Sequence, residues 1–296
     1  RSERNTSLAV AEADVQRALR AAHAAFWRSP QTVSIGLIGA GRVGRALLAQ
    51  LAATRGRLIR EAGLDLRVRA VAGSRRMWLG EAGEAPDAID ERANHDCDLD
   101  VLARHVQAEH LPHALVIDCT AADGIADRYP DWLARGIHVV TPNKHAGAGD
   151  LNRWRSIRGA MQRSHWRYEA TVGAGLPIMQ TLRDLLDTGD ELLAIDGVLS
   201  GSLAWLFNAF DGGRPFSQLV AEAQQRGYTE PDPREDLSGM DVARKLVILA
   251  REAGRELSLA DVEIENLVPP ALADLPLDAL LPALTAIDGD MAARLQ

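Results

Sequence analysis

The chain has 296 residues, of which 47% are hydrophobic and 25% charged, and a formal net charge of −8 at neutral pH. That length and balance suit two globular domains, each with a core of its own. Net acidity argues against a general nucleic-acid binder, which needs a basic face for phosphates, and no apolar run nears the roughly 18 residues of a membrane span.

Residues 1–29 read as a short strand, Thr6 to Val10, then a helix from about Asp14 to Phe26. Asp14 is its N-cap, and Val15, Leu19, Ala22 and Phe26 recur at helical spacing. This piece is too small to own a core. It reads as the tail of a preceding domain plus a linker ending near Ser29-Pro30, and an opening Arg1 in place of Met points the same way. Val33–Ile38 predicts a buried strand, followed by a Gly-rich turn and a helix from about Val43. Leu66–Ala72 is the next strand, and the acidic stretch from Gly80 to Asp100 reads as an irregular surface excursion. Leu115–Asp118 and His138–Val140 are further strands, with a helix around Tyr129–Arg135 between them. Such alternation predicts α/β architecture, a doubly wound parallel sheet covered on both faces, over residues 30–166. From residue 167 to 296 the pattern becomes α+β. Tyr168–Val172 and Leu193–Leu199 read as strands. Ile178–Leu186, Leu203–Phe210, Phe216–Arg226 and Met240–Ala253 read as helices. The last thirty residues are rich in Pro and Leu and show no clear final element.

Gly39-Ala40-Gly41-Arg42-Val43-Gly44 is a G-x-G-x-x-G placed between a predicted strand and a predicted helix, as a dinucleotide site requires. Gly39 permits the tight turn, Gly41 lets a pyrophosphate approach the backbone, and Gly44 lets the helix pack close to the strand. The helix N-terminus offers free N–H groups and a positive dipole end. An NAD enzyme usually carries an acidic residue at the end of the second strand. Here that strand runs into Ser74-Arg75-Arg76, whose hydroxyl and guanidinium groups suit the 2′-phosphate of NADP. NADP is the expected cofactor, with NAD as the alternative.

Ligands in such sheets lie beyond the carboxyl ends of the strands. Two ends draw notice there: Asp118-Cys119-Thr120 and Thr141-Pro142-Asn143-Lys144. Thr171 to Pro177 is a Gly-rich loop that could turn several backbone groups toward one ligand. The stretch from Gly227 to Lys245 is an acidic loop, stiffened by two prolines, that leads into a helix. Asp241 and Lys245 stand four apart on that helix and so share a face. On a helical wheel Lys245 shares its arc with Val242, Ile248 and Leu249, while Ala243, Val247 and Ala250 cover the opposite side. Only Arg244 and Arg251 form a solvent stripe. Lys245 is therefore expected to face an interior cleft, where it can exchange a proton with an alcohol or carbonyl oxygen. Two cysteines, Cys97 and Cys119, are too few for a disulfide framework or a zinc site and fit a reducing cytoplasm. Cys119 has no nearby base and reads as a small buried residue. Asp96, Asp98 and Asp100 mimic a calcium loop, but Val101 and Gln107 occupy the positions that need Gly and Glu. His105, His110 and His113 lack the partners of a metal site.

These stretches resemble the homoserine dehydrogenases. The matching segments are GAGRVG, DCT, TPNK, EATVGAGLP, LSGSLAWLFN and GYTEPDPREDLSGMDVARK, between Ile35 and about Pro269. The segment NTSLAVAEADVQRALRAAHAAFW resembles the end of the regulatory region in bifunctional aspartokinase–homoserine dehydrogenases. The resemblance implies a Rossmann-type NAD(P)-binding domain followed by a catalytic domain whose sheet helps form a dimer. It assigns the catalytic lysine to Lys245 and the lysine of TPNK to Lys144, which is the second catalytic candidate: from its strand end it faces the cofactor edge and could hold a substrate oxygen or proton. It assigns substrate binding to Glu230, Asp236, Asp241, Tyr228, Gly201 and Ser202. It places a monovalent cation such as Na+ on backbone carbonyls of Glu169, Val172, Ala174 and Leu176. Cofactor contacts are expected from Gly39, Gly41, Arg42, Val43, Gly44, Ser74, Arg75, Arg76, Thr120 and Lys144. Family members continue past the position matching Gln296, so the catalytic domain is expected to be C-terminally truncated.

The implied reaction is the NADP-dependent interconversion of L-homoserine and L-aspartate 4-semialdehyde, in threonine, isoleucine and methionine biosynthesis, by a cytoplasmic homo-oligomer. The alternatives are a cofactor-binding fragment without turnover and a related two-domain dehydrogenase of another small oxo acid.

Overall fold

β1 (Gln31–Ile38) is buried without a break from Ser34 to Ile38, as a strand covered on both faces must be. It lies at the middle of a seven-stranded sheet in a computed structural model that describes residues 9–16, 18, 19, 22, 31–80, 93–108 and 111–295. The other strands are β2 (Leu64–Ala72), β3 (Arg76–Leu79), β4 (His95–Asp96), β5 (His113–Asp118), β6 (Ile137–Val140) and β7 (Trp166–Arg167), in the order β4-β3-β2-β1-β5-β6-β7. β2, β1, β5, β6 and β7 are parallel neighbours, and β3 and β4 add an antiparallel edge. The chain leaves β1 for β2 on one side and later enters β5 on the other. The carboxyl ends of β1 and β5 therefore flank the switch point, where open α/β sheets bind ligands.

Helix α1 (Arg42–Ala62) covers the sheet through Leu48, which joins Ile35, Leu37, Val68, Val71 and Ile117 in one core. Each such side chain contributes about 1.5–3 kcal/mol when fully buried. α2 (Leu99–Val106) approaches β1 at Gly36, where a Cβ would stand 2.7 Å from Val106 Cγ2. Any larger residue at 36 would push that helix away. α3 (Tyr129–Ala134) brings the fully buried Tyr129 and Trp132 into the same unit.

The described part of the acidic stretch is more regular than expected. Residues 81–92 lie outside the described set, but His95–Asp96 pairs with β3, and Leu99 begins α2. The three aspartates that suggested a loop each have a structural partner. Asp96 pairs with Arg76, Asp98 caps α2 by accepting the N–H groups of Asp100 and Val101, and Asp100 pairs with Arg128. Near the N-terminus, Glu12–Asp14 form a 3-10 turn, and Asp14 stands immediately before the first helical residue, Val15. Residues 15, 16, 18, 19 and 22 are helical, and residues 9 and 10 are not in a strand. The rest of the expected Thr6–Val10 strand, the end of its helix, the Ser29-Pro30 linker and His110 lie outside the described residues.

The chain divides into two units, Arg1–Asn143 with Arg155–Tyr168 and Lys144–Trp154 with Glu169–Gln296. The second unit takes in Lys144–Trp154, which lies within the span read as the cofactor domain. Its helices include α4 (His145–Ala148), α5 (Leu151–Gly159, which runs on into the first unit), α6 (Ile178–Asp187), α7 (Gly201–Ala209), α8 (Phe216–Gln225), α9 (Pro233–Leu237) and α10 (Met240–Glu252). Neither expected strand of this unit forms. β7 stops at Arg167 because its partner β6 ends at Val140, and Glu169–Thr171 is a 3-10 turn. Leu193–Leu199 enters no ladder among the described residues, and Leu193 and Val198 are 90% and 74% exposed. A strand exists only as a pair, and this segment has no described partner. The tail, by contrast, ends in helices α11 (Leu277–Ala283) and α12 (Asp288–Ala293). Leu280, Leu284, Ile287 and Met291 recur at helical spacing and close a core with Leu206, Phe216 and Leu237. Pro282 inside α11 disguised that periodicity.

α10 is largely buried, as its wheel required, but Arg251 is not on a solvent stripe. It is 1% exposed. Its Nε donates to Leu257 O at 2.8 Å, Nη1 to Gly147 O at 2.8 Å and Nη2 to Gly149 O at 2.9 Å. A wheel of one helix cannot register that other turns bring their carbonyls over that face.

Candidate active site

In the first unit the turn after β1 is shaped by its glycines. Gly39 adopts φ +89°, a left-handed conformation that a Cβ would strain, and its N–H donates to Ala72 O at 2.8 Å. A Cβ there would also stand 2.8 Å from Thr120 Cγ2, so the turn lies against the end of β5. A Cβ on Gly44 would stand 2.2 Å from Gly39 O, whereas one on Gly41 would meet nothing within 4 Å. Gly41 is thus the open face of the turn and the N-cap of α1, with Arg42 and Val43 exposed in the first helical turn. Beside it is a cleft of about 630 Å³ lined by Gly39, Ala40, Gly41, Arg45, Gly73, Ser74, Arg75 and Arg76. Backbone donors and a positive helix end facing a cleft of this size fit a dinucleotide phosphate.

The basic residues of the cleft differ in how they are held. Arg45 Nε donates to Ala40 O at 3.1 Å. Arg76 opens β3 and pairs with Asp96 at 2.9 Å. Arg75 has no side-chain partner among the described residues and is exposed. At the end of β5, Asp118 is fully buried. It accepts from Tyr129 OH at 2.5 Å, Thr120 N at 2.8 Å and Asn143 Nδ2 at 3.2 Å, while Thr141 Oγ1 donates to its backbone carbonyl at 2.8 Å. Burial and the Asp118 carboxylate push the Tyr129 phenol well above its ordinary range. The DCT and TPNK segments therefore lock two strand ends together, and Tyr129 completes the lock. No motif singled out Tyr129. Cys119 is half-buried, and burial followed by the charge of Asp118 pushes its thiol up to about 11.

In the second unit three charged side chains meet. Asp241, on the first turn of α10, receives Lys245 Nζ at 2.7 Å on one oxygen and Lys144 Nζ at 3.2 Å on the other. Lys245 Nζ also donates to Leu199 O at 2.6 Å, and its side chain is 15% exposed. Burial works to raise the Asp241 carboxyl, but the hydrogen bond from Lys245 and the charges of Lys144 and Lys245 outweigh it and hold it below the usual carboxylate range. One feature of composition sharpens this site. The chain has 33 basic residues, of which only Lys144 and Lys245 are lysines. Arginine cannot lose its proton in a protein, whereas a lysine can. The count was legible in the sequence, and the shared carboxylate was not.

Leu199 leads into α7, whose N-cap Ser200 bonds Ser202 Oγ at 2.9 Å. Ser202 Oγ donates to Asp236 Oδ1 at 2.6 Å, and the Glu230 N–H donates to Asp236 Oδ2 at 2.8 Å. Gly201, Ser202, Glu230 and Asp236 are thereby joined through Leu199 to the two lysines. Asp236 orients the loop with both oxygens, while the Glu230 carboxylate is exposed and makes no hydrogen bond among the described residues. Tyr228 packs on Trp205 with ring centroids 5.4 Å apart, and the Arg226 guanidinium lies over both rings. Glu169, Val172, Ala174 and Leu176 fall in one turn. There the Glu169 carboxylate pairs with Arg183, and Ala174 has φ +51°, strained for a residue with a Cβ. The Leu176 carbonyl already accepts from Ile178 N at 2.9 Å. Among the described residues no helix is long and apolar enough to cross a membrane, and no group of three or more His, Cys, Asp or Glu could hold a metal ion.

Comparison with known proteins accounts for both units. Residues 39–170 match the family model described as homoserine dehydrogenase, NAD binding domain, and residues 177–295 match the one described as homoserine dehydrogenase. The chloroplastic bifunctional aspartokinase/homoserine dehydrogenase 1 of Zea mays is 46% identical over 298 residues, covering 98% of this chain and 32% of that protein. The chain thus spans about a third of the length of the curated relatives it matches. A Candida auris crystal structure, described as of unknown function, superposes with a TM-score of 0.79 at 37% identity, covering 89% of this chain and 75% of that one. Homoserine dehydrogenase from Thermoplasma acidophilum superposes with a TM-score of 0.60 at 27% identity, covering 78% and 72%. The glycine turn of the first unit and the Lys144–Asp241–Lys245 cluster of the second are features of a chain that belongs to the homoserine dehydrogenase family.

Proposed function

We propose that the chain catalyses the NADP-dependent interconversion of L-homoserine and L-aspartate 4-semialdehyde, a step serving threonine, isoleucine and methionine biosynthesis. The observation that carries the reading is the placement of the only two lysines on the two oxygens of Asp241. When bound, the nicotinamide would supply the hydride needed at C4 of the semialdehyde, and the carbonyl oxygen must then gain a proton. Lys245 is the group to give that proton, directly or through a water, and to take it back in the oxidising direction. Asp241 stays ionised and keeps both ammonium groups directed at one place. Lys144 adds a second positive charge for the developing alkoxide. Glu230, whose carboxylate makes no hydrogen bond among the described residues, receives the substrate ammonium together with Asp236. Gly201 and Ser202 shape that pocket, with Tyr228 at its edge.

The first unit holds the cofactor. Gly39, Gly41 and Gly44, with the exposed first turn at Arg42 and Val43, would cradle the pyrophosphate, and Thr120 lies against the same turn. Ser74 and Arg75 suit the 2′-phosphate, which favours NADP over NAD. Arg76 can join them, because its pair with Asp96 joins a 50% exposed side chain to a 92% exposed one and is worth only about 0–1 kcal/mol. Backbone carbonyls of Glu169, Val172, Ala174 and Leu176 would hold a monovalent cation, and the exposed Leu193–Leu199 segment suits pairing with a second copy of the chain. The test is a homoserine-dependent rise in NADPH absorbance. NADPH binding without turnover would instead indicate a cofactor-binding fragment, and turnover of another hydroxy acid but not homoserine would indicate a related dehydrogenase.

A further inference from the structure

Lys144 reaches Asp241 from outside α10. It precedes the single turn α4, its carbonyl accepts from Ala148 N at 2.8 Å, and its side chain is 31% exposed. A four-residue helix has too few internal bonds to hold itself in place. Something else must fix the turn if the Lys144 ammonium is to stay 3.2 Å from Asp241 Oδ1.

Arg153 Nη2 donates to His145 O at 3.0 Å from within the same segment; the group that ties the turn to α10 is Arg251, three helical turns along from Asp241. Two of its nitrogens take the carbonyls of Gly147 and Gly149, at the C-terminal end of α4, where a helix leaves its carbonyls unpaired and welcomes a cation. The third nitrogen takes Leu257 O, beyond the end of α10. The guanidinium also lies 5.6 Å from the ring centroid of Trp154, at the end of the same segment. A lysine could not meet three carbonyls in this planar arrangement. The seat itself is close-fitting, since a Cβ on Gly147 would stand 2.8 Å from Ile248 Cγ1.

We infer that Arg251 is a positioning residue for Lys144: by clamping the carbonyls of Gly147 and Gly149 onto α10 it sets the second ammonium on Asp241. For turnover the inference rests on the proposed roles of Lys144 and Lys245. The placement itself does not.

Two lysines in the whole chain make the test site-resolved. The full chain is treated briefly with an amine-acylating reagent, and modification at Lys144 and Lys245 is followed by mass spectrometry. Arg251→Met is expected to speed Lys144 acylation severalfold and leave Lys245, held on α10 itself, unchanged. Arg251→Lys should recover only part of the protection. Equal acceleration of both lysines would mean general loosening and would overturn the inference, as would no change at Lys144. If Arg251→Met does not fold, Gly147→Ala displaces the same turn without touching Arg251. It should also expose Lys144, and Gly147→Ala with Ile248→Ala should restore protection; a Gly147→Ala chain with Lys144 protected as before overturns the inference. In turnover assays Arg251→Met should lower kcat, and Arg251→Met with Lys144→Ala should be no slower than Lys144→Ala alone, because a residue acting through another adds nothing once the other is gone. Additive losses refute that link. Unimpaired turnover by Lys144→Ala would instead remove Lys144 from the proposed mechanism, while the acylation result still decides the placement.

Discussion

Lys245→Arg separates proton exchange from electrostatics at the proposed active site. The native ammonium stands 2.7 Å from Asp241 Oδ2 and 2.6 Å from Leu199 O. A guanidinium is charged, has a comparable reach and presents several donors, so it can keep the ion pair and the carbonyl contact. Folding should be little affected, and the thermal midpoint should move by no more than a few degrees. What arginine cannot do is give up a proton near neutral pH. General acid–base catalysis is worth about 10² to 10⁴ in rate, or roughly 3–5 kcal/mol at 1.36 kcal/mol per tenfold. kcat for homoserine oxidation and for semialdehyde reduction should both fall by at least about 10², with NADPH affinity measured by fluorescence unchanged. Lys245→Ala should lose as much and bind homoserine less well. If Lys245→Arg kept kcat within about tenfold of native, below the loss that removal of a general acid entails, the lysine would be an electrostatic anchor and the proton would have to pass through Lys144 or a water.

Arg75→Ala removes a charge-assisted contact worth about 1.5–3 kcal/mol, so KM for NADP should rise roughly 10- to 150-fold with little change for NAD. Arg76→Ala should do less, since two of its nitrogens already donate to Asp96 and to the Ala93 carbonyl; equal effects on both cofactors in steady-state kinetics would remove the 2′-phosphate assignment. Gly44→Ala places a Cβ against Gly39 O at 2.2 Å. It should abolish NADPH binding at a stability cost of about 1–3 kcal/mol, and an unchanged fluorescence titration would contradict the turn geometry. Burial works to raise the Asp65 carboxyl, but Arg55 and Arg67 outweigh it and hold it below the ordinary range. Its stabilising effect is therefore complete above the unfolded value of about 3.9 and is lost as pH falls through the lower folded value. Asp65→Asn should be less stable by about 1–3 kcal/mol in urea unfolding at neutral pH, and the gap should close on acidification below the carboxylate range. A gap independent of pH would refute the sign. Cys119, with its thiol at about 11, is almost wholly protonated at pH 8. Iodoacetamide should modify it roughly a hundredfold more slowly than a free thiol, and alkylation as fast as an unstructured peptide thiol would show that the site is not as buried as it stands.

Much of the first unit was legible because its signals are local. A glycine turn between an apolar run and a helical repeat can be read from a dozen residues, and β1, β2, β5 and β6 fall within two residues of where their apolar runs predicted them. β3 and β4 were missed because a short edge strand carries little burial pattern of its own. Asp96, Asp98 and Asp100 resemble a loop until their partners Arg76, the α2 amides and Arg128 are known. The expected strand at Leu193–Leu199 failed for the converse reason: its apolar residues suit a strand, but no described segment pairs with it.

At the candidate site, the sequence alone determined the chemistry on hand: a phosphate-binding turn, an acidic loop, and two lysines among 33 basic residues. Only the tertiary structure decided their grouping. Asp241 and Lys245 are one helical turn apart and could be paired on paper, but Lys144 is distant in sequence and reaches the same carboxylate through a turn docked on α10. Arg251 reads on a wheel as solvent-facing and lies at the centre of that docking. The physical reason is general. Periodicity reports which face of an element is apolar, because burial acts residue by residue along one segment. Which carbonyls and carboxylates from other segments come to meet that face is set by long-range packing, and a buried guanidinium is stable only when that packing supplies its acceptors.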